Sequence, residues 1–339
     1  MLLKTLCNLD SVSSNEDSVR KFVIDNIKPY ADDIKIDVMG NVIALKKGEN
    51  HCKKVMVLAH MDEVGLIVSG ITEKGFLEFK TVGGIDPRVL ISKKVRIGDE
   101  KIPGVIGIKA IHLQEKSERE KVPKVKSLYI DIGAKDKEDA ERKVSLGDFI
   151  AFDTEFEMLT DTVIKAKAID DRAGVYVMLN LIKEKPNYDT YFCFTVQEET
   201  GLRGAKIIAN KIEPDIAIVI ESTTASDVFG VDEENYVTRV GFGPAISFAD
   251  RRMIADNCYF DWMMSLAESE NIKVQKKRAI AGGNDSGAVH LSNGGIKTIS
   301  VSVPTRYIHS PVSVASLSDI QNAEKLLAAY LKRIGEFIG

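Results

Sequence analysis

The longest apolar runs of this 339-residue chain tend to end in the same way, on a histidine or an acid. KVMVLAHMDEVGLIV opens as an unbroken apolar, β-branched segment, the pattern of a strand buried on both faces, and turns polar at His60 and Asp62. YDTYFCFTVQEE and DIAIVIES repeat this pattern and end in Glu198–Glu199 and Glu221, and the strand pattern IKTISVSVP is followed closely by TRYIHSPV, with His309. Between these runs lie segments with helical spacing: RAGVYVMLNLIKE, LRGAKIIANKI, a stretch from about Met253 to Asn271, and SLSDIQNAEKLLAAYLKRIGEFI, which opens on a serine or aspartate cap. PAISFAD precedes the stretch from Met253, and Ser13-Ser14-Asn15-Glu16 has the S-x-x-E capping-box spacing that predicts a helix running toward Tyr30. Strands separated by helices of this length predict an α/β fold, a sheet with helices on both faces.

From about Gly65 to Val163 the texture changes. GLIVSGI, FLEFKTVGGI, KKVRIGDEKIPGVIGIKA and SLGDFIAF are short, rich in Val, Ile and Gly, and broken by turn residues. They predict a small β-barrel-like domain (65–163) inserted into one α/β domain made of residues 1–64 and 164–339. KDKEDAERKV is a helical patch within it, and IHLQEKSEREKVPK an exposed, charged loop.

Composition narrows the function classes. With 44% hydrophobic and 28% charged residues the chain can bury a large core and lacks the signature of disorder. Lysine and arginine number 46 against 50 acids, net charge -4, and no stretch gathers basic residues with aromatics, which argues against nucleic acid as a partner. The N-terminal MLLKTLCNLDSVSSNEDSVRKF lacks the apolar stretch of a signal peptide or membrane span, so the expectation is a cytoplasmic protein without membrane attachment. Cys7, Cys52, Cys193 and Cys258 lie far apart with no C-x-x-C spacing, and read as reduced thiols.

Ligand sites in such sheets form beyond the C-terminal ends of the strands. Five places meet there: His60 with Asp62, Asp170 with Asp171 in KAIDDRAG, Glu198 with Glu199, Glu221, and His309. Taken singly, each has a plainer reading, a structural histidine or a helix cap. Together they form a set that uses two of only five histidines in the chain. Carboxylates packed this closely repel by roughly several kcal/mol at low effective dielectric, so positive charge belongs between them. Histidine with carboxylate and no thiolate suits zinc, cobalt or manganese.

AHMDEVG, KAIDDRAG, VQEETGLRGA, GGNDSG and RYIHSPV, in this order along almost the whole chain, closely resemble the glutamyl or deblocking aminopeptidases. These are dinuclear metallopeptidases that assemble as tetrahedra, some of them labelled cellulase M or FrvX-like. The resemblance implies a zinc-aminopeptidase-like fold with two divalent metal ions per subunit. His60 and Glu221 would bind one ion, Glu199 and His309 the other, and Asp170 would bridge them. Asp62 would orient His60, and the Asp170–Asp171 peptide would be cis. Glu198 would act as general base toward a water activated by two metals, which hydrolyses peptides from the N-terminus without a covalent intermediate. The inserted domain would carry contacts that build dimers and then a hollow dodecamer.

This chain departs from the family where Glu221 replaces the usual aspartate, where GGTDAG becomes GGNDSG with Asp285 kept, and near Ser313, where a glutamate is usual. Two other classes compete. A glycoside hydrolase needs two carboxylates ~5–9.5 Å apart and neither histidine nor metal. A noncatalytic scaffold would show loss of the base or of ligands, whereas Glu198 and four of the five expected ligand identities are present. A basic residue in the first pocket would favour acidic N-terminal residues, and Arg251 or Arg252 could supply it or equally form a surface ion pair.

Overall fold

The computed structural model describes residues 1–338. Its centre is an eleven-stranded mixed sheet. Four strands run parallel side by side in the spatial order Tyr188–Thr195, Asn50–His60, Ile216–Thr224 and Lys297–Arg306. Antiparallel neighbours flank them: Val42–Lys46 on one side, and Ser313–Ser316 followed by Val163–Ala166 on the other. Being antiparallel to an antiparallel strand, Val163–Ala166 points the same way as the central four. All five strands therefore deliver their C-terminal ends to one edge of the sheet.

The apolar runs are continuous because the sheet is covered on both faces. Along Asn50–His60, Val55, Val57 and Ala59 enter a core shared with the helices Leu2–Asn8, Asp17–Ile27, Ile169–Leu181, Asn257–Ser269 and Leu317–Arg333. The intervening Met56 and Leu58 enter the opposite core, under Arg203–Ile212 and Asp285–His290. This is the two-residue alternation of a strand, with an apolar side chain at every position from Val55 to Ala59. Each fully buried aliphatic side chain contributes roughly 1.5–3 kcal/mol, so register in this sheet is strongly specified.

The second body is a closed barrel of six strands, Gly65–Ile71, Leu77–Val82, Leu128–Asp131, Ile102–Ile108, Lys94–Ile97 and Phe149–Phe152, around its own core of Leu66, Val68, Phe79, Ile97, Ile130 and Ile150. The barrel ends at Phe152. Glu157–Met158 and Val163–Ala166 already pair within the large sheet, so the chain leaves the insertion near residue 155, earlier than the boundary of 163 read from the sequence. The polar segment from Ile111 to Ser127 forms only short helical turns and is largely exposed. Among the described residues no helix is long and apolar enough to cross a membrane, and all four cysteines are free.

Candidate metal centre

Each acid and histidine singled out in the sequence arrives at the same sheet edge. His60 closes its strand, Glu221 sits within Ile216–Thr224, and His309 follows Lys297–Arg306. Asp170 follows Val163–Ala166 at the start of the helix Ile169–Leu181, where its peptide bond to Asp171 is cis. Glu198 and Glu199 lie beyond the strand that ends at Thr195, in a turn, so turn geometry rather than strand alternation separates the two side chains. Gln197 and His309 themselves adopt left-handed backbone, with φ of 56° and 55°. Non-glycine residues held there cost of order 1 kcal/mol or more and mark positions that the surroundings over-determine.

Asp170 stands between two groups. Its Oδ1 is 3.4 Å from His60 Nε2, which is also 3.6 Å from Glu221 Oε2. Its Oδ2 is 3.3 Å from His309 Nε2, which is also 3.3 Å from Glu199 Oε2. These separations exceed ordinary charge-assisted hydrogen bonds. They fit a different geometry: two ligand atoms ~2.1 Å from a common tetrahedral centre lie ~3.4 Å apart. Asp170, Glu199 and His309 offer one set of ligand atoms within 4.8 Å of one another, and His60, Asp171 and Glu221 offer another. Asp170 Oδ1, Asp171 Oδ2 and Glu221 Oε1 are buried with no hydrogen-bond partner, as expected of lone pairs reserved for cations. The donor set therefore fits divalent cations.

Electrostatics agree. Burial pushes Glu198, Glu221 and Asp171 well above the usual carboxylate range, and lifts Glu199 to about 7 and Asp285 to about 6. Burial opposes ionisation of Asp170 as well, but His309 and His60 hold it below its usual range. Burial also disfavours charge on His309, and the Asp170 and Glu199 carboxylates outweigh it, raising the imidazole to about 9. Two imidazoles cannot balance this many buried acids. Protons stay on the carboxyls unless cations replace them.

His60 Nδ1 lies 3.1 Å from the backbone carbonyl of Asp62. A carbonyl only accepts, so Nδ1 carries a proton, which leaves Nε2 to face Asp170 and Glu221. The Asp62 carboxylate, expected to orient His60, is 3.4 Å from that nitrogen and is engaged mainly elsewhere. It accepts from Ser13 Oγ at 2.5 Å and from the backbone amides of Glu198 at 3.0 Å and Glu199 at 3.2 Å. Asp62 thus grips the turn that presents both glutamates.

Ser13 and Glu16 were legible only as a capping box, and the structure assigns them otherwise. The helix Asp17–Ile27 begins without a side-chain cap. Ser13 donates to Asp62, and Glu16 accepts the amides of Ser14 at 2.7 Å and Gln197 at 3.2 Å. Both residues are buried, which the spacing alone did not signal. We expect Asp62→Ala, which leaves two part-buried amides and the buried Ser13 hydroxyl without their acceptor, to destabilise the metal-free protein by about 1–3 kcal/mol. It should also weaken metal binding by roughly 10–100-fold. Denaturant unfolding and a metal titration check the two effects, and unchanged metal affinity would show that the grip on the turn is dispensable.

Gly174 shows how closely this edge is packed. A Cβ there would come within 2.3 Å of Asp171 Oδ2, and the Gly174 amide donates to Asp171 Oδ1 at 3.0 Å. Asp285 lies beneath the site, accepting from Thr195 Oγ1 at 2.7 Å, and Asn284 caps the short helix by accepting from the Ser286 amide.

A cavity of about 320 Å³ opens from the centre, lined by Asp170, Glu198, Glu221 and His309 on the reactive side. Glu199 does not line it, and faces a much smaller hollow with Lys167 and Ser313. Arg251 and Arg252 line a separate hollow with Lys206 and Leu291, and neither lines the cavity. The basic side chain found there is Lys277, which carries no sequence signal of its own.

Comparison with known proteins agrees with this geometry. The model of the M42 glutamyl aminopeptidase family matches residues 40–326. A lysyl aminopeptidase of Pyrococcus furiosus is 32% identical, covering 98% of this chain and 96% of its own length. The solved structure of an aminopeptidase from the archaeon Desulfurococcus kamchatkensis is 40% identical with a TM-score of 0.93, covering 98% of this chain and 93% of that one. A TET1 peptidase of Pyrococcus horikoshii, described as assembling into a tetrahedron or a large octahedral shell, is 34% identical with a TM-score of 0.86, covering 98% of each chain. With a family match over most of its length and relatives more than 30% identical along nearly the whole chain, the chain belongs to the M42 glutamyl aminopeptidase family.

Proposed function

We propose that this aminopeptidase removes N-terminal residues from peptides with two divalent cations, His60 and Glu221 holding one, Glu199 and His309 the other, Asp170 bridging, and Glu198 acting as general base. The observation that carries this reading is Asp170, whose two oxygens each face a different histidine–glutamate pair. Zinc, cobalt or manganese bound there would polarise the scissile carbonyl and lower the pKa of an attacking water. Glu198, in the cavity wall, would accept a proton from the attacking water on its carboxylate and pass it to the nitrogen of the departing amine. Glu198 also lies near enough to His60 and Glu199 to be considered a ligand. Its place in the cavity wall, where Glu199 is absent, favours the base.

The reading extends to assembly. Ile111, Leu113 and Val122 on the inserted barrel are exposed at 70%, 60% and 54%, large apolar side chains that contacts between copies would cover. The P. horikoshii relative is described as assembling into a tetrahedron or a large octahedral shell. We assign the barrel to subunit contacts in a homo-oligomer whose sites face an interior, which restricts substrates to peptides.

Turnover of aminoacyl chromogenic substrates before and after chelation tests the proposal. Activity should vanish on chelation and return with zinc, cobalt or manganese, in a particle whose mass by light scattering is a multiple of 37.4 kDa. Turnover that survives chelation contradicts the reading, and is what a two-carboxylate glycosidase would show on its own substrate. A monomeric mass contradicts the assembly.

A further inference from the structure

A second cavity, of about 310 Å³, adjoins the catalytic one, and Val237 belongs to the walls of both. The segment from Gln275 to Arg278 runs between them. Lys276 pairs with Ile246 as a strand, the Lys277 amide donates to the Ile246 carbonyl, and the Arg278 amide donates to the Val237 carbonyl at 3.1 Å. Side chains of an extended segment alternate, so Lys277 enters the catalytic cavity while Lys276 and Arg278 enter the second. Arg239 joins them there, its guanidinium 4.9 Å from the centre of the Tyr236 ring and 5.2 Å from that of Phe242. The Gln275 side chain pins this arginine's backbone: it accepts from the Arg239 amide at 2.9 Å and donates to the Arg239 carbonyl at 2.9 Å.

The second cavity therefore holds three cations and no acid, in a chain with 50 acidic against 46 basic residues. Among the described residues neither Lys276 nor Arg278 has a carboxylate partner. Lys276 lies over the Phe260 ring, and Arg278 donates to the Glu233 carbonyl at 3.3 Å. Arg239 has one partner, Glu233 at 2.9 Å, whose side chain is 78% exposed, and an ion pair so exposed contributes little. Like charges gathered in a hollow raise the local concentration of an anion.

We infer that this second cavity binds a carboxylate of the substrate downstream of the bond that is cut, either the peptide's C-terminus or an acidic side chain. The inference rests on the aminopeptidase reading above and concerns the far part of the peptide, not its N-terminal residue. With that residue held at the metal centre, the rest of the peptide has to leave the catalytic cavity, whose wall continues through Val237 into the second. An extended peptide advances ~3.3 Å per residue, so a few residues carry a carboxylate from one cavity to the next. Arg239 and Arg278 present planar forks that match a carboxylate, and Lys276 adds a point charge. Contacts made there, away from the reacting atoms, raise kcat/KM for peptides that carry the group.

The test measures kcat/KM of the metal-loaded enzyme on Leu-Gly, Leu-Gly-Gly and their longer glycine homologues, each as the free acid and as the C-terminal amide. A second series keeps the amide and replaces one glycine at a time by Glu or by Gln. The acid-to-amide ratio should peak at one length, and the Glu-to-Gln ratio at one position, each by roughly ten-fold, the scale of one hydrogen bond to a charged group. A peak in the first series alone assigns the cavity to the C-terminus, and a peak in the second alone to an acidic side chain. Lys276→Gln combined with Arg278→Gln changes two exposed residues and should bring the peak ratio near one. Ratios near one at every length and position in the wild type overturn the inference without needing any variant to fold, and cleavage of the peptides leaves the aminopeptidase reading in place. Cleavage of none of them, nor of Leu-p-nitroanilide, overturns both. If the peak survives in the double variant and is lost in Lys277→Met, the carboxylate sits in the catalytic cavity and the inference is wrong.

Discussion

Glu198→Gln is expected to keep both cations and to lose roughly 10²–10⁴-fold in kcat, the usual scale of a general base. The substitution retains size and hydrogen bonding but removes the ability to accept a proton. The backbone amide of residue 198 still donates to Asp62, so the turn should remain in place. Glu199→Gln supplies the contrast. Glu199 faces His309 at 3.3 Å and is absent from the wall of the large cavity, so the variant should bind metal more weakly and regain part of its rate in excess metal. Kinetics and metal titration of the two variants side by side separate the roles. Loss of metal from Glu198→Gln with retention by Glu199→Gln would exchange the assignments.

Asp170→Asn should be the most damaging ligand change. Each oxygen of Asp170 faces a different histidine, and an amide can offer only one oxygen while turning donor hydrogens toward the other partner. The negative charge that two cations would share is also lost. Metal affinity should fall by more than the roughly 10–100-fold typical of outer-layer partners, and turnover should fall with it. A calorimetric metal titration that finds wild-type affinity in Asp170→Asn would remove Asp170 from the centre.

The sequence revealed most of this site because strands buried on both faces are long apolar runs, and the polar residues that end them are conspicuous. His60, Glu221 and His309 were visible for that reason. Asp170 and Asp171 were visible as an acidic pair at a helix start. The S-x-x-E spacing does mark a helix start, at Asp17, but only tertiary packing sends Ser13 to Asp62 and Glu16 to the turn at Gln197. Asp62 was identified, but its main contacts are amides 136 and 137 residues away, which no local pattern encodes. Lys277 has no local signal either. Arg251 and Arg252 stood out in FADRRM, while Lys277 sits in the basic run QKKR, where an exposed surface is the default reading. The end of the insertion was placed late because Glu157–Met158 and Val163–Ala166 have the same short β texture as the barrel strands, although they pair with the other sheet.

The central claim is that two cations flank Asp170. Anomalous-difference maps from crystals of the protein loaded with cobalt test it most directly. The account predicts two peaks in each subunit ~3.5–4 Å apart, one beside His60 and Glu221, the other beside Glu199 and His309, with an Asp170 oxygen against each. A single peak, or two peaks that leave Asp170 unligated, would contradict it.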